Sequence, residues 1–131
     1  MGPYDAELDA EPDSRVFLTK AMSTFVTWAA DHPAYSQLMF WRPIPHWEPA
    51  PDAYLVATEI LERMTTSLRT LQGRGVIRPD ADLDEATDVW TVLVSGLISQ
   101  HLANEPNTPA ELGRFPALID PLVAMFLEHY A

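Results

Sequence analysis

The apolar positions of the chain recur at helical spacing in five stretches, and no stretch alternates apolar and polar residues as a strand would. The most distinctive stretch lies between Asp82 and Glu105. It carries Val89, Trp90, Val92, Leu93, Val94, Leu97, Ile98 and Leu102, so large apolar side chains emerge on every side of the helix. A helix that is apolar all round has to be covered all round. In a chain of 131 residues this predicts that one face meets the protein's own core and another meets a second copy. Trp90, Val94, Leu97 and His101 share one line along the helix and are assigned to the core and a cavity. Val89, Leu93, Gly96 and Gln100 share the next line, where the bare backbone at Gly96 allows close approach, and are assigned to the partner.

The same periodicity places a helix from Asp13 or Ser14 to about Ala30. Leu18, Met22, Phe25, Val26 and Ala29 lie on one face, with Phe17, Ala21, Thr24 and Trp28 beside them. Asp31-His32-Pro33 ends it, because a residue before proline is driven away from helical dihedrals. A short helix from Pro33 or Ala34 to Trp41 follows, and Pro43, Pro45, Pro49 and Pro51 then hold the chain extended. From about Asp52 to Gln72 runs the longest amphipathic helix, with Ala57, Leu61, Met64, Leu68 and Leu71 in its stripe and Gly73 or Gly75 at its end. Asp82 and Glu85 form a capping box for the central helix. Thr108, Pro109 and Glu111 open the last helical stretch, which runs to Tyr130 with a break near Gly113 to Pro116 and a bend near Pro121. The fold class is all-α, a bundle of about five helices in one domain spanning residues 1–131, with residues 1–13 a solvated acidic lead-in.

Charge and composition narrow the function. A net charge of −11 argues against nucleic-acid binding by this chain, since affinity for phosphates comes mainly from Lys and Arg. The absence of cysteine removes disulfides and thiol chemistry, and with no signal peptide and no apolar run long enough to span a bilayer the expectation is a cytoplasmic protein with no membrane contact. No Gly-x-Ser-x-Gly elbow surrounds Ser95, no His-Glu-x-x-His is present, and Glu59 and Glu62 lack the Glu-x-x-His partners of di-iron bundles. Asp80, Asp82 and Asp84 imitate the start of a calcium loop, but Glu85 stands where its glycine belongs and Thr91 where its bidentate glutamate belongs. No enzyme activity, metal or cofactor is expected.

Three landmarks occur in order: His32-Pro33 after the first amphipathic helix, Gly75-Val76-Ile77 with Pro79-Asp80 and Asp82 after the long one, and the Gly96-Leu97 step within the central helix. In order and spacing they resemble the C-terminal regulatory domain of the TetR (tetracycline repressor) family of bacterial transcription regulators, over roughly Val16 to Tyr130. The resemblance implies a homodimer in which the last two long helices of each subunit form a four-helix interface. It also implies a cavity for a small apolar or aromatic effector. The family's basic helix-turn-helix is missing, with Arg15 and Lys20 the sole Lys or Arg residues before Arg42. The expected function is therefore effector binding and dimerisation for a TetR-type regulator, with DNA reached only through an N-terminal domain not in this sequence. A stand-alone helical protein-interaction or small-ligand carrier module is the alternative.

On that resemblance, the ligand-binding candidates are Met22, Phe25, Trp28, Phe40, Trp41, Trp47, Tyr54, Met64 and Trp90, with Val94 and His101 on the Trp90 line. Aromatic walls with a few polar groups suit small molecules, and methionine adapts to irregular shapes. The plainer reading makes these residues core and satisfies His101 through a neighbouring group. The interface candidates are Val89, Leu93, Gly96 and Gln100 from the central helix and Leu118, Leu122, Val123 and Phe126 from the last. Residues 42–51, rich in proline, read as a stiff bridge that tucks Ile44 or Trp47 over the cavity mouth.

Overall fold

Capping chemistry sets most of the helix ends. The computed structural model describes residues 13–33 and 51–131, with side chains before Leu61 in the second helix described only at Glu59. Asp13 caps α1, Ser14–Asp31, by accepting from the backbone N–H of Arg15 and Val16 at 2.9 and 3.2 Å. His32 ends it, donating its own N–H to Ala29. α2, Pro51–Gly73, stops at a turn in which Gly75 takes a φ of 82°, a left-handed conformation that favours glycine, and Val76 N–H reaches back to the Leu71 carbonyl. Asp82 caps α3, Leu83–Asn104, through the N–H groups of Asp84 and Glu85. α4 spans Ile119–Tyr130. The described residues thus form four α-helices and no strand, an all-α fold, and the expected short helix ending at Trp41 lies outside them.

The last stretch departs from expectation. In place of a capped helix at Thr108 there are two 3-10 turns, Ala110–Leu112 and Pro116–Leu118, and neither has a side-chain cap. The Thr108 carbonyl is taken by His101 instead, at 2.9 Å from its Nε2. Prolines 109 and 116 each remove a backbone donor, so no continuous helix forms here. Pro121, expected to bend the helix, is the third residue of α4, where its missing N–H has no intrahelical partner to lose.

α3 packs against the three other helices, and α1 lies across both α3 and α4. Phe17, Leu18, Met22 and Val26 of α1 meet Leu68 and Leu71 of α2, Trp90, Val94, Leu97 and Ile98 of α3, and Val123, Phe126 and Tyr130 of α4 in one core. Ile77 and Ala81 of the α2–α3 turn are buried in it too. That turn is held from below by Gln72, whose Nε2 lies 3.1 to 3.3 Å from the carbonyls of Arg78, Pro79 and Ala81.

Candidate functional site

The two sides of α3 differ sharply. Trp90, Val94, Leu97 and His101 are all buried, whereas Gly96 and Gln100 are exposed, Val89 is partly exposed and Leu93 is half-buried. Val92, which the sequence reading does not assign to either line, is 70% exposed. A similar apolar stripe runs along α4 and the turn before it: Leu118 and Met125 are exposed and Leu122 is half-buried. Val123 and Phe126, expected to face a partner, point the other way. They are 0% and 2% exposed, and the Phe126 ring meets Trp90 edge-on at 5.3 Å. A side chain consumed by its own subunit's core has no surface left to offer, so these two assignments are corrected to core.

Three contacts fix the register of α4 on α3. At one end a side chain on Gly113 would come within 2.7 Å of His101 Nδ1 and 2.8 Å of Pro116 Cδ, so the loop lies directly on the histidine. In the middle Phe126 meets Trp90. At the far end the Tyr130 hydroxyl donates to Glu85 Oε1 at 2.9 Å. The helices therefore run antiparallel. An exposed apolar stripe thus runs along each of these two packed helices.

The far end carries the charge chemistry. Glu85 accepts from Tyr130 rather than completing a reciprocal capping box, and Arg78 donates from its backbone N–H to the Tyr130 carbonyl at 2.8 Å and from Nη1 to the His129 carbonyl at 2.7 Å. Its guanidinium faces the Tyr130 ring, 5.7 Å from the centroid, and pairs with Asp80 at 3.4 Å. Burial, followed by the hydrogen bond to Glu85 and its negative charge, pushes the Tyr130 phenol up to about 12, while Arg78 pulls it down. Folded Tyr130 thus keeps its proton above the ordinary value of 10.0. The stability this contributes is whole below pH 10 and is lost as pH rises through about 12. An ultraviolet titration is expected to show a late-ionising phenol that Tyr130→Phe removes; a variant whose titration loses its phenol near 10 instead would refute it.

Among the described residues, the expected ligand-binding residues occupy different settings. Met22, Trp90 and Val94 are core, Phe25 and Met64 pack half-buried at its edge, and Trp28 is 42% exposed with its ring stacked on His32 at 4.6 Å. His101 is buried, with Nε2 on the Thr108 carbonyl and Nδ1 enclosed without a partner against Gly113, so a neighbouring group satisfies one of its two ring nitrogens. Phe40, Trp41 and Trp47 lie outside the described residues, as do the side chain of Tyr54 and the proline-rich bridge. An open groove of about 540 Å³ does run between α2 and α3, lined by Leu61 and Arg69 on one side and Asp84, Thr87 and Asp88 on the other. Thr65 and Thr87 join across it at 2.8 Å, and none of the expected ligand-binding residues lines it. No group of side chains among the described residues could hold a metal ion, and no helix there is long and apolar enough to cross a membrane.

A family model described as tetracyclin repressor-like, C-terminal domain, matches residues 18–125. The chain belongs to that family. The matched span runs from Leu18 in α1 to Met125 in α4, so it takes in parts of all four helices and both stripes of the exposed face. No curated protein and no solved structure gives a match. C-terminal domains of this family belong to regulators.

Proposed function

We propose that the chain is the effector-sensing and self-association domain of a TetR-type transcription regulator, acting in the cytoplasm, and that two copies associate through the exposed apolar face of α3 and α4. The observation that carries the reading is the exposed apolar stripe on each of two helices that pack together. Val89 and Val92 on α3, and Leu118 and Met125 at α4, are large apolar side chains open to solvent, and Val92 has 70% of its surface open. Leaving such a strip in water forgoes about 25 cal/mol for each Å² of apolar area. A second copy, related by a two-fold axis, offers the same strip in return and would turn two helices into a four-helix layer.

Sensing in this reading is a population shift. An effector that fits one conformation better biases the helices that carry a DNA-reading head, in proportion to its difference in affinity for the two states. Phe25 and Met64, half-buried at the edge of the core, and Trp28 at the end of α1 supply apolar and aromatic surface beside α1 and α2. An apolar or aromatic molecule is the ligand class they suit.

Light scattering tests the association. The wild type is expected to show a dimer mass at micromolar concentration, and Val92→Asp a monomer mass with unchanged helical circular dichroism. Because Val92 is exposed within its own subunit, a charge there costs the monomer only about 0.5 kcal/mol or less. A wild type of monomer mass would overturn the proposal, and a heteromeric complex in place of self-association would favour a stand-alone interaction module.

A further inference from the structure

α4 is held on α3 at two ends by very different means. Near His101 the two helices are joined by a loop that is itself tied down: Arg114 N–H donates to Glu105 Oε1 at 2.8 Å, His101 engages Thr108, and Gly113 lies on the imidazole. At the other end no covalent link joins them locally. There the alignment rests on three residues from three elements: Arg78 from the α2–α3 turn, Glu85 from the first turn of α3 and Tyr130 from the last turn of α4.

Tyr130 is 1% exposed, and its ring contacts Phe126 at 5.1 Å, which itself meets Trp90. The hydroxyl reaches Glu85, while Arg78 caps two of the last carbonyls of α4 at 2.7 and 2.8 Å. One residue thus stops the end of α4 from lifting away from α3, and another stops it from sliding along its own axis.

We infer that Arg78, Tyr130 and Glu85 act as a clasp that sets the angle between α3 and α4 and thereby the shape of the apolar face that meets a second copy. The inference rests on the self-association reading above. The geometry of a hinge carries the argument. α4 is about 18 Å long at 1.5 Å per residue, so a pivot of roughly 10° at its loop end would displace Tyr130 by about 3 Å. Met125, exposed near the clasped end, would then shift against the stripe of α3, and a surface that must match its own image would no longer do so. Closely packed apolar contacts are lost over gaps smaller than this. These three are positioning residues, none being part of the exposed face itself.

The test is a dilution series by sedimentation equilibrium on the wild type, Tyr130→Phe, Arg78→Ala and Asp80→Ala. Tyr130→Phe keeps the ring and its packing but deletes the hydroxyl, and the exposed Glu85 is free to hydrate. A hydrogen bond to a charged group expressed in association corresponds to roughly a tenfold weaker dimer. That weakening, with helical circular dichroism unchanged, is the expected result for Tyr130→Phe and Arg78→Ala. Asp80→Ala, which removes the Arg78 ion-pair partner outside the clasp, should leave the dimer constant alone. If either clasp variant fails to fold, the other carries the same readout. A wild-type dimer constant in the clasp variants, even with a lowered melting temperature, overturns the clasp and leaves dimerisation standing. A wild type that never dimerises overturns both.

Discussion

Phe126→Ala is expected to remove about 3–5 kcal/mol of folding stability, the range for truncating a fully buried phenylalanine. Phe126 is 2% exposed, with Trp90 edge-on at 5.3 Å and Tyr130 at 5.1 Å, so its loss leaves a void between α3 and α4. Single domains have only about 5–15 kcal/mol in total, so the variant should unfold at markedly lower urea. Urea titration followed by circular dichroism measures it. The same experiment separates core from interface. A core residue lowers the midpoint equally at all protein concentrations, whereas an interface residue would lower it mainly where dimers are populated. A loss below 1 kcal/mol would show that Phe126 is not a core residue.

Gly113→Ala is expected to cost about 1–3 kcal/mol through overpacking. Its φ of −75° and ψ of 144° suit any residue, so backbone strain is not the cause. The added methyl would lie 2.7 Å from His101 Nδ1, 2.8 Å from His101 Cε1 and 2.8 Å from Pro116 Cδ. The imidazole is buried and bound to Thr108, and the proline ring is rigid, so neither yields cheaply. Gly96 provides the contrast. A methyl added there meets nothing within 4 Å, and in the middle of α3 alanine should stabilise an isolated subunit by about 0.5–1 kcal/mol. Thermal melts of both variants at low protein concentration should therefore move in opposite directions. A Gly113→Ala melt at or above the wild-type temperature would contradict the close approach to His101.

The helices whose ends depend on local chemistry were legible in the sequence. Asp13, His32, Gly75 and Asp82 each act within a few residues of themselves, and each stands at the boundary its type predicts. The segment after Asn104 was not legible in the same way. Thr108-Pro109-Ala110-Glu111 satisfies a local capping pattern, yet its carbonyl serves His101, which is seven residues back and on another element. Glu85 has the same history, with a capping position by sequence and a partner 45 residues away in Tyr130. Distant partners leave no periodic trace.

The candidate face was half legible for a related reason. Along α3, one line of large apolar residues with a histidine and a second line through a glycine differ in kind, and burial follows that difference. Along α4, Leu118, Leu122, Val123, Met125 and Phe126 are all large and apolar, and spacing alone does not say which of them turn inward. Docking on α3 decides it, by bringing Phe126 onto Trp90 and leaving Met125 outside.

The three contacts that align α4 on α3 also order its assembly. Their sequence separations grow steadily, from the short loop between His101 and Gly113, through Trp90 and Phe126, to Glu85 and Tyr130 at 45 residues. Because a longer loop costs more entropy to close, the cheapest contact forms first and each one shortens the effective loop for the next. The pair is therefore expected to zip from the His101 end, with Tyr130 the last to engage. Opening runs in reverse, so amide exchange should be fastest in the final turn of α4 and slowest beside Val123.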